Sequence, residues 1–386
     1  MTAPYALVGE TLTPTGPDRA AVMVRDGRIV DLLRSPRSED LPEDSREFTG
    51  LLCPGFIDLQ INGAFGADIG SDAETLEILA EQLPSTGVTA FLPTLVSSPP
   101  DRYERFFAAL EGWCAKTPGA QALGAHLEGP FLAQSRKGAH DVAHLRPVDK
   151  GFLSHLLDSG KVRVMTLAPE LPRALEAIAH LVETRVVASA GHTEATYDEL
   201  VRAADAGLSL GTHLYNAMSP LKHRSPGAVG ALLTDERVKV GIIVDGVHVH
   251  VGALRVAYQA KGSDGLALVT DAMEAAGMPP GDYKLGGREV RLQDGSVLLP
   301  DGTLAGSALT MDQAVRNTVR FLGVPLAEAA RMASEVPART LSLEHKGKIS
   351  IGCDADFTLV DQEGTVRQTI VAGRVAYDRR SRDTHP

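Results

Sequence analysis

The chain has 386 residues, 44% hydrophobic, 5% aromatic and 23% charged, with a formal net charge of -11. That length suits two or three ordinary domains, or one large barrel with an accessory domain, and the near-average composition excludes disorder or collagen-like structure as the main state. The acidic balance excludes a nucleic-acid or anionic-membrane surface as the main role, because either needs a basic field.

Along the chain, short β-rich runs come first, at residues 5–8 and 20–33, and similar runs return at 347–360 and 365–377. Gly16-Pro17, Asp26-Gly27 and Ala372-Gly373 punctuate them as turns. Each terminal block is too short for a comfortable core of its own. Together, residues 1–53 and 344–386 are expected to form one small β-sandwich.

Between the two ends, apolar strands alternate with amphipathic helices. Strands are predicted over Leu52–Gln60, Val88–Val96, Ala122–Gly129, Val162–Pro169, Val186–His192, Leu208–Leu214, Val238–Asp245 and Leu266–Asp271. Helices are predicted over Asp72–Ser85, Pro100–Lys116, Leu171–Glu183, Glu194–Ala206 and Val251–Lys261. Near-continuous apolar strands are those of a parallel sheet buried on both faces. Eight β–α units over residues 54–343 match a (β/α)8 barrel of the TIM type. A doubly wound sheet is the alternative, but no G-x-G-x-x-G follows the first strand to favour it. Residues 281–304 read as β-hairpins inserted before a helix at Ser307–Phe321. On pattern alone the insertion is as well read as decoration as it is as a lid or substrate wall.

Three cysteines (Cys53, Cys114, Cys353), far apart and without C-x-x-C spacing, argue against a disulfide scaffold and suit a reducing compartment. The start of the chain has no charged stretch leading into an apolar one, so no signal peptide is expected. The chain has no apolar run long enough for a membrane span. A cytoplasmic location is the expectation.

Twelve histidines are the notable excess, since histidine is the commonest metal ligand and the usual near-neutral acid or base. In a barrel the reacting groups sit at the C-terminal strand ends. Those ends carry Asp58, Gln60 and Asn62, then His126 and Glu128, His192, His213, Asp245 with His248, and Asp271. A Glu and two His at one mouth form a divalent-metal set with a position left open, and an Asp from another strand can take a proton from the attacking water. Taken singly, each residue has a plainer reading. Glu128 could be an ion-pair partner, His192 a helix cap, His213 a hydrogen-bonded core residue and Asp271 an N-cap. The coincidence at four strand ends favours the metal site. His126 and His250 are expected to support it from behind.

The motifs PGFID (Pro54–Asp58), HLEGPF (His126–Phe131), KGAH (Lys137–His140), AGHT (Ala190–Thr193) and THLYNAMSPLKHRSPG (Thr212–Gly227) are similar to those of the N-acetylglucosamine-6-phosphate deacetylase family. So are DGVHVH (Asp245–His250), VTDA (Val269–Ala272) and DGTLAGSALTMDQAVRN (Asp301–Asn317). That family lies within the amidohydrolase superfamily, and the likeness runs from about residue 50 to about residue 340. The resemblance implies hydrolysis of the acetamide of N-acetyl-D-glucosamine 6-phosphate. It makes Glu128, His192 and His213 metal ligands and Asp271 the general base and acid. His140 would polarise the acetamide carbonyl. Ala139, Asn216, Ala217 and His248 would touch substrate, with Leu304, Ala305 and Gly306 as a backbone stretch lining the sugar pocket. Arg224 would reach the phosphate in a neighbouring subunit, which implies a homodimer. Arg and His suit a phosphate dianion on chemical grounds as well, although Lys222, His223 and Arg224 also read as a solvated basic turn.

Many superfamily members carry His-x-His after the first strand, where this chain has Gln60 and Asn62. Neutral amides are poor ligands beside imidazole. One divalent ion per subunit is therefore expected (Zn, or Fe, Mn or Co), with the two amides hydrogen-bonding solvent near the ion. Other substrates remain open from sequence, namely N-acetylgalactosamine 6-phosphate or a cyclic amide. So does a non-catalytic barrel, although that would predict lost ligands.

Overall fold

The computed structural model describes residues 4–70, 72–111, 113 and 119–379. At its centre eight parallel strands follow one another around a barrel: β1 (Phe56–Ile61), β2 (Val88–Val96), β3 (Ala125–Glu128), β4 (Val162–Leu167), β5 (Val187–Ala190), β6 (Leu210–Gly211), β7 (Lys239–Ile242) and β8 (Leu266–Leu268). No ladder joins β8 to β1. The circuit closes just beyond them, where Ile61 bridges Ala272, the Asp271 N–H donates to Gln60 O at 2.9 Å and the Asn62 N–H to Ala272 O at 2.7 Å. All six residues of β1 are buried, as expected of a strand covered on both faces.

A helix follows each strand in turn, from Ala73–Gln82 after β1 to Met311–Leu322 after β8. Local chemistry sets their starts. Asp72 and Asp149 accept the Thr75 and Phe152 amides, and Thr196 with Glu199 forms a capping box at Tyr197–Asp205. Because Thr196 caps that helix, His192 is free for the barrel mouth. Among the described residues no helix is long and apolar enough to cross a membrane.

The predicted elements differ from the structure in several places. Leu52–Gln60 is two strands, since Leu52, Cys53 and Pro54 end the accessory strand Ser45–Pro54 and β1 begins at Phe56. Gly55 makes the join, pressed so closely on Thr89 that a Cβ would overlap its side chain. Ala122–Gly129 is also divided: Gln121–Ala122 pairs with β2, Gly124 turns at φ +130°, and β3 starts at Ala125. The helix after β2 ends at Glu111, and the remainder predicted up to Lys116, with Cys114, falls outside the described residues.

Both chain ends build the small sandwich. Its seven strands run in the order Arg374–Asp378, Val366–Val371, Phe357–Val360, Ser45–Pro54, Tyr5–Thr13, Gly16–Arg25, Arg28–Arg34. This single sheet folds back on itself. The Tyr5 hydroxyl donates to Gly373 O at 2.7 Å, and the Ala355 N–H to Gly27 O at 2.9 Å. Asp26-Gly27 and Ala372-Gly373 both have two residues at positive φ, the tight hairpin geometry that matches strand twist. Leu7, Val22, Val24 and Ile29 meet Phe357 and Ile370 in the fold, and each fully buried apolar side chain contributes roughly 1.5–3 kcal/mol.

The insertion is a three-stranded meander, Gly281–Leu285, Arg288–Gln293 and Ser296–Leu298. Val290 and Val297 pack on Met273 and Ala305. Its first turn touches the barrel mouth, with the Gly286 N–H on Asp68 at 3.2 Å and Arg288 donating to Ala139 O at 2.8 Å.

Candidate active site

Four polar side chains converge at the C-terminal mouth of the barrel. Glu128 ends β3, His192 lies two residues past β5, His213 two past β6, and Asp271 three past β8. His192, His213 and Asp271 have φ of +49°, +32° and +49°. Each strand thus leaves the ladder through a left-handed residue, a conformation costing on the order of 1–3 kcal/mol that clusters at functional sites.

Three ligand atoms share one small volume. Glu128 Oε1 lies 3.0 Å from His192 Nε2 and 2.9 Å from His213 Nε2, and the two nitrogens are 3.1 Å apart. His192 Nδ1 is 2.8 Å from Arg136 O. A carbonyl only accepts, so Nδ1 carries the proton and Nε2 keeps its lone pair. Donor atoms around a tetrahedral zinc ion with bonds of about 2.0–2.1 Å stand about 3.3 Å apart. The three residues therefore fit a divalent cation.

His140 also lies close, and Glu128, His140 and His192 together could hold an ion. Its geometry argues for a different role. His140 Nδ1 accepts the Ser97 N–H at 3.2 Å, so Nε2 bears the hydrogen, 3.8 Å from Glu128 Oε2. A ring nitrogen bearing hydrogen is a donor and not a ligand. Burial and then the nearby His192 hold His140 down to about 3, which keeps it neutral.

The carboxylates are tuned apart. Burial pushes Glu128 up, but the His192 and His213 imidazoles set against it outweigh that effect and hold the group well below the usual carboxylate range. Asp271 is raised to about 6, first by burial and then by the Glu128 charge. Gln60 Nε2 donates to Glu128 at 3.2 Å and Asp271 at 3.1 Å, and Asn62 Nδ2 donates to Asp271 at 2.8 Å. Gln60 thus turns its N–H groups on both carboxylates and Asn62 on Asp271 alone, contacts not anticipated from sequence.

A cavity of about 300 Å³ opens above these groups. Of the residues singled out in the sequence, Asn62, Glu128, Ala139, His140, His192, His213, Asn216, Ala217, His248, Asp271, Leu304 and Gly306 line it. His248 is held by Asp245, which accepts its Nδ1–H at 2.6 Å and its N–H at 2.8 Å. Two candidates lie elsewhere. Ala305 is fully buried beneath the meander, because a strand-like segment alternates its faces between Leu304 and Gly306. Arg224 is exposed, in the turn that pairs Lys222 with Ser225, outside its own chain's cavity. His126 does sit behind the site, buried against Leu59 O and Thr166 Oγ1. His250 does not. It is exposed and caps the helix Val251–Gly265.

Sequence reasoning missed Val96, Ser135, Arg136, Leu285 and Thr303 on the cavity wall. A cation four residues before His140 in the same loop was the available signal for Arg136, whose guanidinium is forked on Glu194 at 2.7 and 3.2 Å.

A parallel barrel with a Glu–His–His cluster and an Asp at its mouth defines a metal-dependent hydrolase, and residues 51–376 match the amidohydrolase family. The chain belongs to that family and, within it, to the N-acetylglucosamine-6-phosphate deacetylases. It is 39% identical to the N-acetylglucosamine-6-phosphate deacetylase of Lysinibacillus sphaericus over 92% of both chains. With that of Homo sapiens it shares 39% over 93% of this chain and 92% of the other. The crystal structure of the Pasteurella multocida deacetylase superposes with a TM-score of 0.89 at 35% identity, covering 97% of this chain and 99% of that one. An aspartate-to-alanine mutant of the Mycobacterium smegmatis deacetylase, in complex with N-acetyl-D-glucosamine-6-phosphate, gives 0.87 at 34%, covering 97% and 98%.

Proposed function

We propose that the chain hydrolyses the acetamide of N-acetyl-D-glucosamine 6-phosphate to D-glucosamine 6-phosphate and acetate. The observation that carries this is the convergence of Glu128, His192 and His213 within 3.1 Å beside Asp271, in a chain at least 34% identical to named deacetylases of that sugar phosphate.

Glu128, His192 and His213 would hold one divalent cation, which when bound supplies Lewis-acid polarisation and lowers the pKa of water. Asp271 takes a proton from the attacking water. It is suited to do so, since its pKa of about 6 allows both ionised and protonated forms near neutral pH. As the water oxygen bonds to the acetyl carbon, His140 Nε2–H donates to the carbonyl oxygen, where negative charge develops. The C–N bond then breaks and Asp271 returns its proton to the departing nitrogen, leaving acetate and the amine. Gln60 and Asn62 present N–H groups to the carboxylates, which supports a single ion per site.

His248 and the neighbouring subunit's Arg224 bind the phosphate in a homodimer. Exposure of Arg224 outside its own cavity supports this arrangement. The catalytic unit is residues 54–343, with 1–53 and 344–386 as the accessory sandwich. A cytoplasmic location is supported by the unpaired Cys53 and Cys353 and by the charge of a sugar phosphate, which keeps it inside a bilayer-bounded compartment.

The test is acetate release from N-acetylglucosamine 6-phosphate, N-acetylgalactosamine 6-phosphate and unphosphorylated N-acetylglucosamine, with metal analysis. Preferred turnover of the first with one metal per chain is expected. Equal turnover of the unphosphorylated sugar removes the phosphate contacts, and two metals per chain remove the assignment of Gln60 and Asn62.

A further inference from the structure

Below the metal-ligand cluster lies a chain of buried polar groups that the chemistry above does not use. Ser189 Oγ is 2.6 Å from Thr212 Oγ1, Thr212 Oγ1 is 2.7 Å from Thr166 Oγ1, and Thr166 Oγ1 is 2.7 Å from His126 Nε2. His126 Nδ1 closes the run 3.0 Å from Leu59 O. All four side chains are at most 2% exposed. The run crosses the barrel interior through β5, the residue after β6, β4, β3 and β1.

Each of the three ligands lies within three residues of a member along the chain. Glu128 is two residues beyond His126 and pairs in register with Thr166. His192 is three beyond Ser189, and His213 follows Thr212. The backbone ladder is short there. β5 and β6 pair at Ser189–Leu210 and Ala190–Gly211, flanked by the Ser209 N–H on Ala188 O and the Thr212 N–H on Ala190 O, before both segments turn into left-handed residues. Gly191 is packed so tightly between Thr166 and Thr212 that a Cβ would lie 2.6 Å from Thr166 Cγ2 and 2.9 Å from Thr212 Cβ.

We propose that Thr166, Thr212, Ser189 and His126 are positioning residues, a buried hydroxyl–imidazole relay that sets the spacing of the Glu128, His192 and His213 ligand atoms. The inference rests on reading those three as the metal ligands. Hydroxyl bonds of 2.6–2.7 Å between strands add a side-chain constraint on lateral position to this short ladder. In a low-dielectric interior a fully satisfied run is stiff, whereas one broken member leaves its neighbours unpartnered.

Thr166→Val tests it, because valine keeps the shape and removes the hydroxyl from the middle of the run. Zinc-loaded wild type, Thr166→Val and Thr166→Ser are titrated with a chromophoric zinc chelator, and the melting temperature of each metal-free protein is recorded. Groups hydrogen-bonded directly to metal ligands are commonly worth 10–100-fold in affinity. The run acts through the backbone instead, so Thr166→Val is expected to release zinc about 10-fold more readily, the lower end of that range, and Thr166→Ser to restore retention. A merely structural hydroxyl would lower the melting temperature and leave zinc retention of the folded protein unchanged. Folded Thr166→Val with wild-type zinc retention overturns the relay. Should Thr166→Val fail to fold, Ser189→Ala, which removes only the terminal hydroxyl, takes its place, and wild-type zinc retention there overturns the relay equally. A wild-type chain that retains no zinc, manganese, iron or cobalt overturns the ligand reading itself.

Discussion

Asn62 Nδ2 donates to Asp271 Oδ1 at 2.8 Å, linking the end of β1 to the proposed general base across the seam where the barrel closes without a ladder. Burial and the Glu128 charge raise Asp271, whereas the Asn62 bond pulls it down by favouring the ionised form. Turnover needs that ionised form at its outset, so kcat/KM falls as pH drops through the Asp271 pKa. Asn62→Ala removes a lowering influence and raises the pKa. The acid limb of the pH profile is expected to move upward by about one pH unit, the worth of one hydrogen bond to a charged group. An acid limb that stays put, or moves down, disproves the assignment.

Asp271→Asn should separate chemistry from metal binding. Asparagine keeps an oxygen to accept the Gln60 and Asn62 bonds, and the three ligand residues are untouched. Metal content is expected to match wild type while turnover falls roughly 10²–10⁴-fold, the usual contribution of a general base. Metal lost together with activity would make Asp271 a ligand instead.

Much of this site was legible because a parallel barrel strand must be apolar on both faces. Glu128, His192, His213 and Asp271 therefore stood out as polar residues at the ends of hydrophobic runs. Where strands break was less legible. Cys53-Pro54-Gly55-Phe56 is continuous in apolar character, and only the packing of Gly55 on Thr89 shows that one sheet ends and another begins. The left-handed turns of His192, His213 and Asp271 were invisible, since histidine and aspartate signal no such preference strongly. Arg136 and Thr303 reach the cavity from loops, where no periodicity reports which way a side chain faces.

His140 should act through its Nε2–H. Replacing it with alanine removes a donor aimed at the developing oxyanion and leaves Glu128, His192 and His213 in place. Loss of one such donor typically costs 10²–10³ in kcat. A drop of that order in kcat with metal content unchanged is expected. Loss of the metal in His140→Ala would instead make His140 a ligand.

Arg288 connects the meander to the same loop by donating to Ala139 O at 2.8 Å, one residue before His140. If the meander is a substrate wall, Arg288→Ala should loosen the loop and raise KM more than it lowers kcat. The contact is half-exposed, worth about 1 kcal/mol, so a change of roughly fivefold is expected. Steady-state kinetics with the phosphorylated sugar read the split, and unchanged KM would mark the meander as decoration.

Arg224 gives the most direct test of subunit cooperation. Its exposed turn places it outside the cavity of its own chain, so the proposed phosphate contact is one made in a partner. Arg224→Ala should raise KM for the phosphorylated sugar roughly 10–100-fold, as expected for a lost charge-assisted bond, and barely affect turnover of the unphosphorylated sugar. Mixing it with Asp271→Asn protein under subunit exchange then discriminates between own-chain and partner contact. In a hybrid dimer the Arg224→Ala chain offers an intact Asp271, and the Asp271→Asn chain reaches across with an intact Arg224, so one complete site forms. Activity above that of either variant alone is expected. A mixture no more active than its parts, in a sample shown by sedimentation to contain hybrid dimers, removes the cross-subunit role.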